Sequence, residues 1–349
     1  MSGPGEPGPP SEPSESKSPL EPFAGQVTGP TGGDNPSPRP GVRTFSLEGR
    51  AAPGLYLIGW LASIVGIGLV VVASMAGGGP AAVVLLFAGL LALSVGLIGA
   101  AGAQVIQRKA EGRAGYAGPS PVLVFAGAVV TANLLVLVVA AIGRPLGLQG
   151  ATPAGALAGL VVSGAVYVGL IRLLVVGTGA LSWEDMAIRR PWRLVRGDIV
   201  YGAILGVPVL YLTALLGVVL LQVLAQPPPQ LPEATDMSGR LAILVAAALV
   251  APISEEIFFR GFMTTAWARA GSPRRAIVQG GLFFAFTHVL TLGGPSFAVG
   301  AQWALFAFLV RLPVAFFLGW VFLHRRSLYA SIALHVIFNG LPLLLTLFR

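Results

Sequence analysis

Two adjacent acidic residues, Glu255 and Glu256, interrupt an apolar stretch that is long enough to cross a membrane, LAILVAAALVAPISEEIFFRGF. A carboxylate inside hydrocarbon is costly, so an acid found there generally has a functional reason and a partner. Arg260 follows Glu256 by four residues, which is one helical turn, and can pair with it. The sequence therefore predicts a polar site within the membrane.

Two further polar groups lie downstream in apolar segments. His288 follows Phe284 by four residues, and His335 precedes Asn339 by four. Residues at this spacing project from one face of a helix. At about 1.5 Å per residue, Glu255, the two histidines and the asparagine all lie roughly 12 to 20 Å from the basic ends of their helices. We expect one polar layer to contain them.

The chemistry that this set supports is hydrolysis of an amide bond. A carboxylate beside an imidazole can take a proton from water and pass it to the leaving amine. A second imidazole and an amide nitrogen, one turn apart, can donate hydrogen bonds to the oxyanion. Glu256 and Arg260 are interpreted as a supporting ion pair that orients the helix. The simpler alternative is a helix-stabilising salt bridge without chemistry.

Composition predicts the elements that hold these residues. Of 349 residues, 55% are hydrophobic and 10% charged, and apolar runs of about 20 residues recur, as membrane-spanning helices require. The predicted fold is an all-α polytopic transmembrane bundle of about eight to nine spans, with Pro252 expected to interrupt one helix. Nine spans are predicted near residues 55–76, 81–105, 121–143, 154–176, 199–225, 241–268, 276–291, 300–323 and 327–347.

The net charge of +8 comes mainly from arginines at the ends of apolar runs, which indicates membrane topology and no nucleic-acid partner. Basic connections alternate with weakly charged ones, so we expect a cytoplasmic N-terminus and, after nine spans, a C-terminus outside. Residues 1–50 are rich in Pro, Gly and Ser, which predicts a disordered cytoplasmic tail. The basic connections are 108–113, 189–196, 269–275 and 325–326.

Three motifs, SEEIFFRG at 254–261, FAFTH at 284–288 and HVIFN at 335–339, resemble those of a known family. This is the CAAX protease and bacteriocin-processing family of intramembrane endopeptidases, also called CPBP or Abi proteins, which includes the Ras-converting CAAX prenyl endopeptidase. The resemblance implies a protease core at 179–349, preceded by transmembrane helices at 51–178 in which no motif matches.

The resemblance also implies a role for each matching residue. Glu255 would be the base that activates water, with His288 beside it, while His335 and Asn339 would stabilise the oxyanion. The family has been described as metal-dependent, and Glu255, His288 and His335 are the ligands that a zinc ion would use. Because the HExxH spacing is absent, we favour glutamate catalysis without a required cofactor.

Two other function classes stay open at this point: a non-enzymatic membrane scaffold or bacteriocin-immunity protein, and an ion-coupled transporter. A transporter has no need for a histidine and an amide one turn apart. The expected partners are the lipid bilayer and a membrane-associated peptide or protein substrate. Usage rich in Arg, Gly and Ala is typical of a bacterial source, so we expect the plasma membrane. Arg311 either faces the polar site or lies in a shallow interfacial element at 297–310.

Overall fold

The computed structural model describes residues 46–290 and 292–347. The predicted disordered tail therefore lies, as far as residue 45, outside the described residues. Within the described ranges the fold is all-helical, as predicted, and contains no strand. The nine helices are α1 (Pro53–Met75), α2 (Pro80–Ala110), α3 (Pro121–Ile142), α4 (Pro153–Val176), α5 (Trp192–Leu220), α6 (Met237–Ala270), α7 (Pro273–Thr287), α8 (Phe297–Arg325) and α9 (Leu328–Leu347).

Eight of these helices are long and apolar enough to cross a membrane, so the protein is a multi-pass membrane protein. The exception is α7, whose 15 residues span only about 22 Å. It was predicted to extend over 276–291, but it ends at Thr287 because the chain turns at the next residue.

Local sequence explains where the helices begin. Proline occupies the first turn of α1 to α4, where its missing N–H costs nothing. Side chains of Asp236 and Ser296 cap the backbone N–H groups at the starts of α6 and α8. Helix α5 starts at Trp192, seven residues before the predicted boundary at 199, because its first turns carry arginines that hide the apolar pattern.

The connections rich in arginine meet at one end of the bundle, which we call the basic end. Lys109 donates a hydrogen bond to the carbonyl of Thr178. Arg269 pairs with Asp185. Arg190 donates to the carbonyls of the last residues of α8. At the opposite end, the backbone N–H of residue 225 donates to the side chain of residue 302. This arrangement matches the predicted alternation, while the side of the membrane that each end faces stays a prediction.

Helix α6 lies at the centre of the motif-bearing half and packs against α4, α7, α8 and α9. It is not a regular α-helix, because it widens into π turns at Ala246–Val250 and at Glu256–Thr264. The first π turn directly precedes Pro252, whose ring would clash with the carbonyl four residues earlier in a regular helix. Such π turns often occur at functional sites, and the second one carries the polar residues of interest.

Candidate active site

Glu256 lies at the centre of a buried hydrogen-bond network, and none of its side chain is exposed. Arg260 donates to Oε1 from Nη1 at 2.8 Å. Ser331 in α9 donates to Oε2. His335, also in α9, bonds to Oε1 through Nδ1 at 2.9 Å. Both carboxylate oxygens are therefore engaged, and Glu256 joins α6 to α9.

Arg260 extends the same network to two more helices. Its Nη2 donates to the backbone carbonyl of Ala315 in α8 at 3.1 Å. Its guanidinium carbon lies 4.2 Å from the ring centroid of Phe284 in α7, a cation–π distance. Arg260 thus forms the ion pair with Glu256 that the sequence predicts, and it also fixes α6 against α7 and α8.

His335 lies between the two glutamates. Because a carboxylate only accepts hydrogen bonds, the bond to Glu256 requires a hydrogen on Nδ1, which fixes the ring orientation. The other nitrogen, Nε2, lies 3.8 Å from Oε2 of Glu255. Consecutive residues of a helix project about 100° apart, so a single ring on the facing helix can contact both carboxylates.

Glu255 differs from its neighbour in both exposure and bonding. Its side chain is 21% exposed, and no hydrogen bond from another described residue reaches its carboxylate. The His335 ring lies 3.8 Å from this carboxylate. A carboxylate that is accessible and not saturated by donors can accept a proton from water.

His288 is not where the sequence predicts it. It lies at the C-cap of α7 instead of inside a helix, and its Nδ1 is 2.8 Å from the carbonyl of Phe284. Since a carbonyl only accepts, Nδ1 carries the hydrogen, and Nε2 of the neutral ring has a free lone pair. Among the described residues, no hydrogen bond joins His288 to Glu255. Both histidines instead contact one aromatic residue, Phe284, with ring-centroid distances of 4.6 Å for His288 and 5.8 Å for His335.

Asn339 lies one turn beyond His335 in α9, as predicted, but it contacts the backbone of α6. Its Nδ2 donates to the carbonyl of Ala247 at 3.0 Å. That carbonyl belongs to the π turn at Ala246–Val250. An amide nitrogen carries two hydrogens, so one N–H of Asn339 remains for another acceptor.

The position of Arg311 is decided by the structure. Helix α8 is continuous over Phe297–Arg325, which excludes a separate interfacial element at 297–310. Nη1 of Arg311 donates to the carbonyl of Ala307 at 3.0 Å. Its guanidinium lies on the side of α8 that is near Glu255 and His288. Arg311 therefore belongs to the polar layer.

A metal centre built from the predicted ligands does not fit this geometry. In the part of the chain that the structure describes, no three His, Cys, Asp or Glu side chains are grouped closely enough to hold a metal ion. Glu255 and His335 lie 3.8 Å apart, but a zinc site needs three or four ligands at about 2.0 to 2.3 Å from the ion.

Residues 237–341, from the start of α6 into α9, match the family model described as type II CAAX prenyl endopeptidase Rce1-like. This part of the chain is therefore similar to the CAAX protease family. The match agrees with the resemblance that the three motifs indicate. Searches of the curated proteins and of the solved structures gave no match.

The CAAX protease match is shorter than the predicted core at 179–349, so the assignment of α5 to that core stays a prediction. Within the matched range, sequence reasoning missed Ser331, which donates to Glu256. A signal was present, because Ser331 precedes His335 by four residues and so lies on the same face of α9. The backbone carbonyl of Ala315, which accepts from Arg260, has no signal in the sequence.

Proposed function

We propose that the protein is an intramembrane endopeptidase that hydrolyses peptide bonds of membrane-associated substrates. The match of residues 237–341 to the model of a protease family supports the reaction class. The single observation that carries the proposal is the difference between the two glutamates. Glu256 is saturated with donors, whereas Glu255 is accessible and lies 3.8 Å from a fixed imidazole.

In the proposed reaction, Glu255 takes a proton from water as the water oxygen adds to the scissile carbonyl carbon. The carbonyl oxygen becomes an oxyanion, and the protonated Glu255 then supplies the hydrogen that the leaving amine needs as the C–N bond breaks. His288, whose Nε2 has a free lone pair, supports this transfer through a bridging water molecule. The products are a carboxylic acid and an amine, so atoms and charges balance without a metal ion.

His335 and Asn339 are proposed to stabilise the oxyanion. Nδ1 of His335 already donates to Glu256, so its ring can help the oxyanion only by donating from Nε2 as an imidazolium. Asn339 would contribute the N–H that does not bond Ala247. We place the opening of this site towards the basic end, in the cytoplasm of a bacterial cell.

The test is Glu255→Gln, assayed by cleavage of tagged membrane peptides that are co-expressed with the full chain. The substitution removes the base but keeps side-chain size, so we expect cleavage to fall about 10² to 10⁴-fold. Abundance in the membrane should not change, because no hydrogen bond of the described residues depends on this carboxylate.

The matched control is Gln107→Ala, which alters a polar side chain on α2, away from the polar layer. It should leave cleavage unchanged. Full cleavage by the Glu255→Gln protein, abolished by chelators, would favour a metal-dependent mechanism instead. Cellular function that survives Glu255→Gln, with no cleavage by the wild-type protein, would favour a scaffold.

A further inference from the structure

A groove of about 510 Å³ opens at the basic end, separate from the polar layer. It lies between the 184–191 segment, the start of α5 and the ends of α6 and α8. Two carboxylates and five arginines line it, and the arginines outnumber the acids even when the buried Asp198 behind them is included. The arginines are Arg189, Arg190, Arg269, Arg325 and Arg326.

Two of these arginines are held in place by one buried acid. The side chain of Asp198 has no exposed surface, and its Oδ1 accepts from Nε and Nη2 of Arg325 at 3.2 Å and 2.9 Å. Nε of Arg190 lies 3.0 Å from the other oxygen. A single carboxylate thus neutralises only one of two guanidinium charges. The groove keeps a fixed positive excess that costs no rearrangement when an anion binds.

Arg189, at the outer edge of the groove, is available to a ligand. Arg189 is 3.8 Å from Glu184, and both side chains are about 70% exposed, so this ion pair contributes little. Helix α5 adds positive potential, because its N-terminus borders the groove at Pro191 and its first turn contains no acidic residue.

The surroundings indicate the kind of anion. The groove lies at the ends of the apolar helices α6 and α8, which is where a membrane-spanning helix meets lipid headgroups. Trp192 and Leu194, beside it, are 68% and 51% exposed. An exposed tryptophan next to arginines is typical of the membrane interface, and basic pockets between transmembrane helices bind anionic headgroups. We propose that this groove binds the phosphate of an anionic phospholipid. The guanidinium forks of the arginines match phosphate oxygens in geometry as well as in charge.

The experiment measures lipid binding to the full-length purified protein by native mass spectrometry and by its melting temperature in detergent. The probes are phosphatidylglycerol, phosphatidylcholine with the same acyl chains, and inorganic phosphate. Phosphatidylglycerol should be retained and should raise the melting temperature, whereas the other two should not. The double variant Arg189→Gln/Arg326→Gln should weaken retention about tenfold or more, because each arginine near anionic lipid contributes appreciably.

The matched control is Arg274→Gln/Arg275→Gln, which removes two exposed arginines from the same end but outside the groove. It should retain phosphatidylglycerol like the wild type. Equal loss in both double variants would overturn the proposal, since only overall charge would then matter. So would stabilisation by inorganic phosphate alone, which would indicate a site for a soluble anion. If the first variant unfolds, lack of lipid selectivity in the wild type would be sufficient to reject the site.

Discussion

Helices α1 and α6 are both apolar enough to span a membrane, but they differ in burial. In the most apolar 18-residue stretch of each helix, 11% of α1 is buried in the protein and 50% of α6. Helix α1 packs on α2 through small residues and presents large aliphatic side chains outwards. Helix α6 instead carries two glutamates and an arginine into the interior. The α1–α2 pair is held together by close backbone packing, whereas α6 requires a partner for each of its buried charges.

The close packing of α1 is visible in its buried residues, which are Gly59, Gly66 and Ala73, spaced by seven. A Cβ atom added to Gly66 would lie 2.5 Å from the backbone nitrogen of Leu93 in α2. Without a hydrophobic driving force between helices in lipid, this kind of approach supplies van der Waals contacts. The stability of the α1–α2 contact therefore depends on glycines that let the two backbones approach. The stability of α6 depends on the pairing of its charged side chains.

The largest effect on stability is expected from Glu256→Gln. It leaves Arg260 buried, at 1% exposure, without its carboxylate, so unfolding free energy should fall by about 3 to 5 kcal/mol. The measurement is unfolding in mixed micelles with increasing SDS. Glu111→Gln, at the exposed end of α2, should change stability by less than about 0.5 kcal/mol.

A double variant, Glu256→Gln/Arg260→Met, distinguishes two causes of the stability loss. One is the loss of the ion pair itself, and the other is the burial of an unpaired Arg260 charge. Removing both charges should recover part of the lost stability, because an apolar replacement of a buried ion pair is often close to neutral. If the double variant is less stable than Glu256→Gln alone, the contacts of Arg260 with Ala315 and Phe284 contribute more than its charge costs.

A smaller effect is expected in the N-terminal pair. Gly66→Ala should cost about 1 to 3 kcal/mol, because the new methyl group meets the backbone of α2, which cannot rotate away. Gly68→Ala is the matched control, since nothing lies within 4 Å of its Cβ position. Cleavage per folded molecule should be unchanged in both variants. A loss of cleavage with Gly66→Ala would show that α1 and α2 also support the site.

The smallest effect is expected from topology reporters, which should alter neither stability nor activity. The chain has no cysteine, so Arg274→Cys and Gln226→Cys each introduce a single thiol, at the basic and the opposite end. A membrane-impermeant maleimide should label the Gln226 variant in intact cells and the Arg274 variant only after permeabilisation. The reverse pattern would contradict the predicted cytoplasmic N-terminus, and the cysteine-free chain is the control.

The sequence by itself determined the membrane class, most helix positions and most residues of the polar layer, although it missed Ser331 and left Arg311 undecided. Apolar runs and arginine placement are local patterns, so they can be read without the fold. Intramembrane acids, histidines and asparagine are also conspicuous, because polar groups are rare in hydrocarbon. The predicted helix boundaries were wrong in two places. Charged residues occupy the first turns of α5, and α7 ends at Thr287 inside an apolar run of the sequence.

Only the tertiary structure decided which of the two glutamates is saturated and which is accessible. A π turn of α6 begins at Glu256, and the facing surface of α9 supplies His335 and Ser331 to this glutamate. In the same way, the C-cap turn of His288 directs its ring back to Phe284. These partners come from separate helices, and residue spacing within one helix carries no information about the rotation of its neighbours.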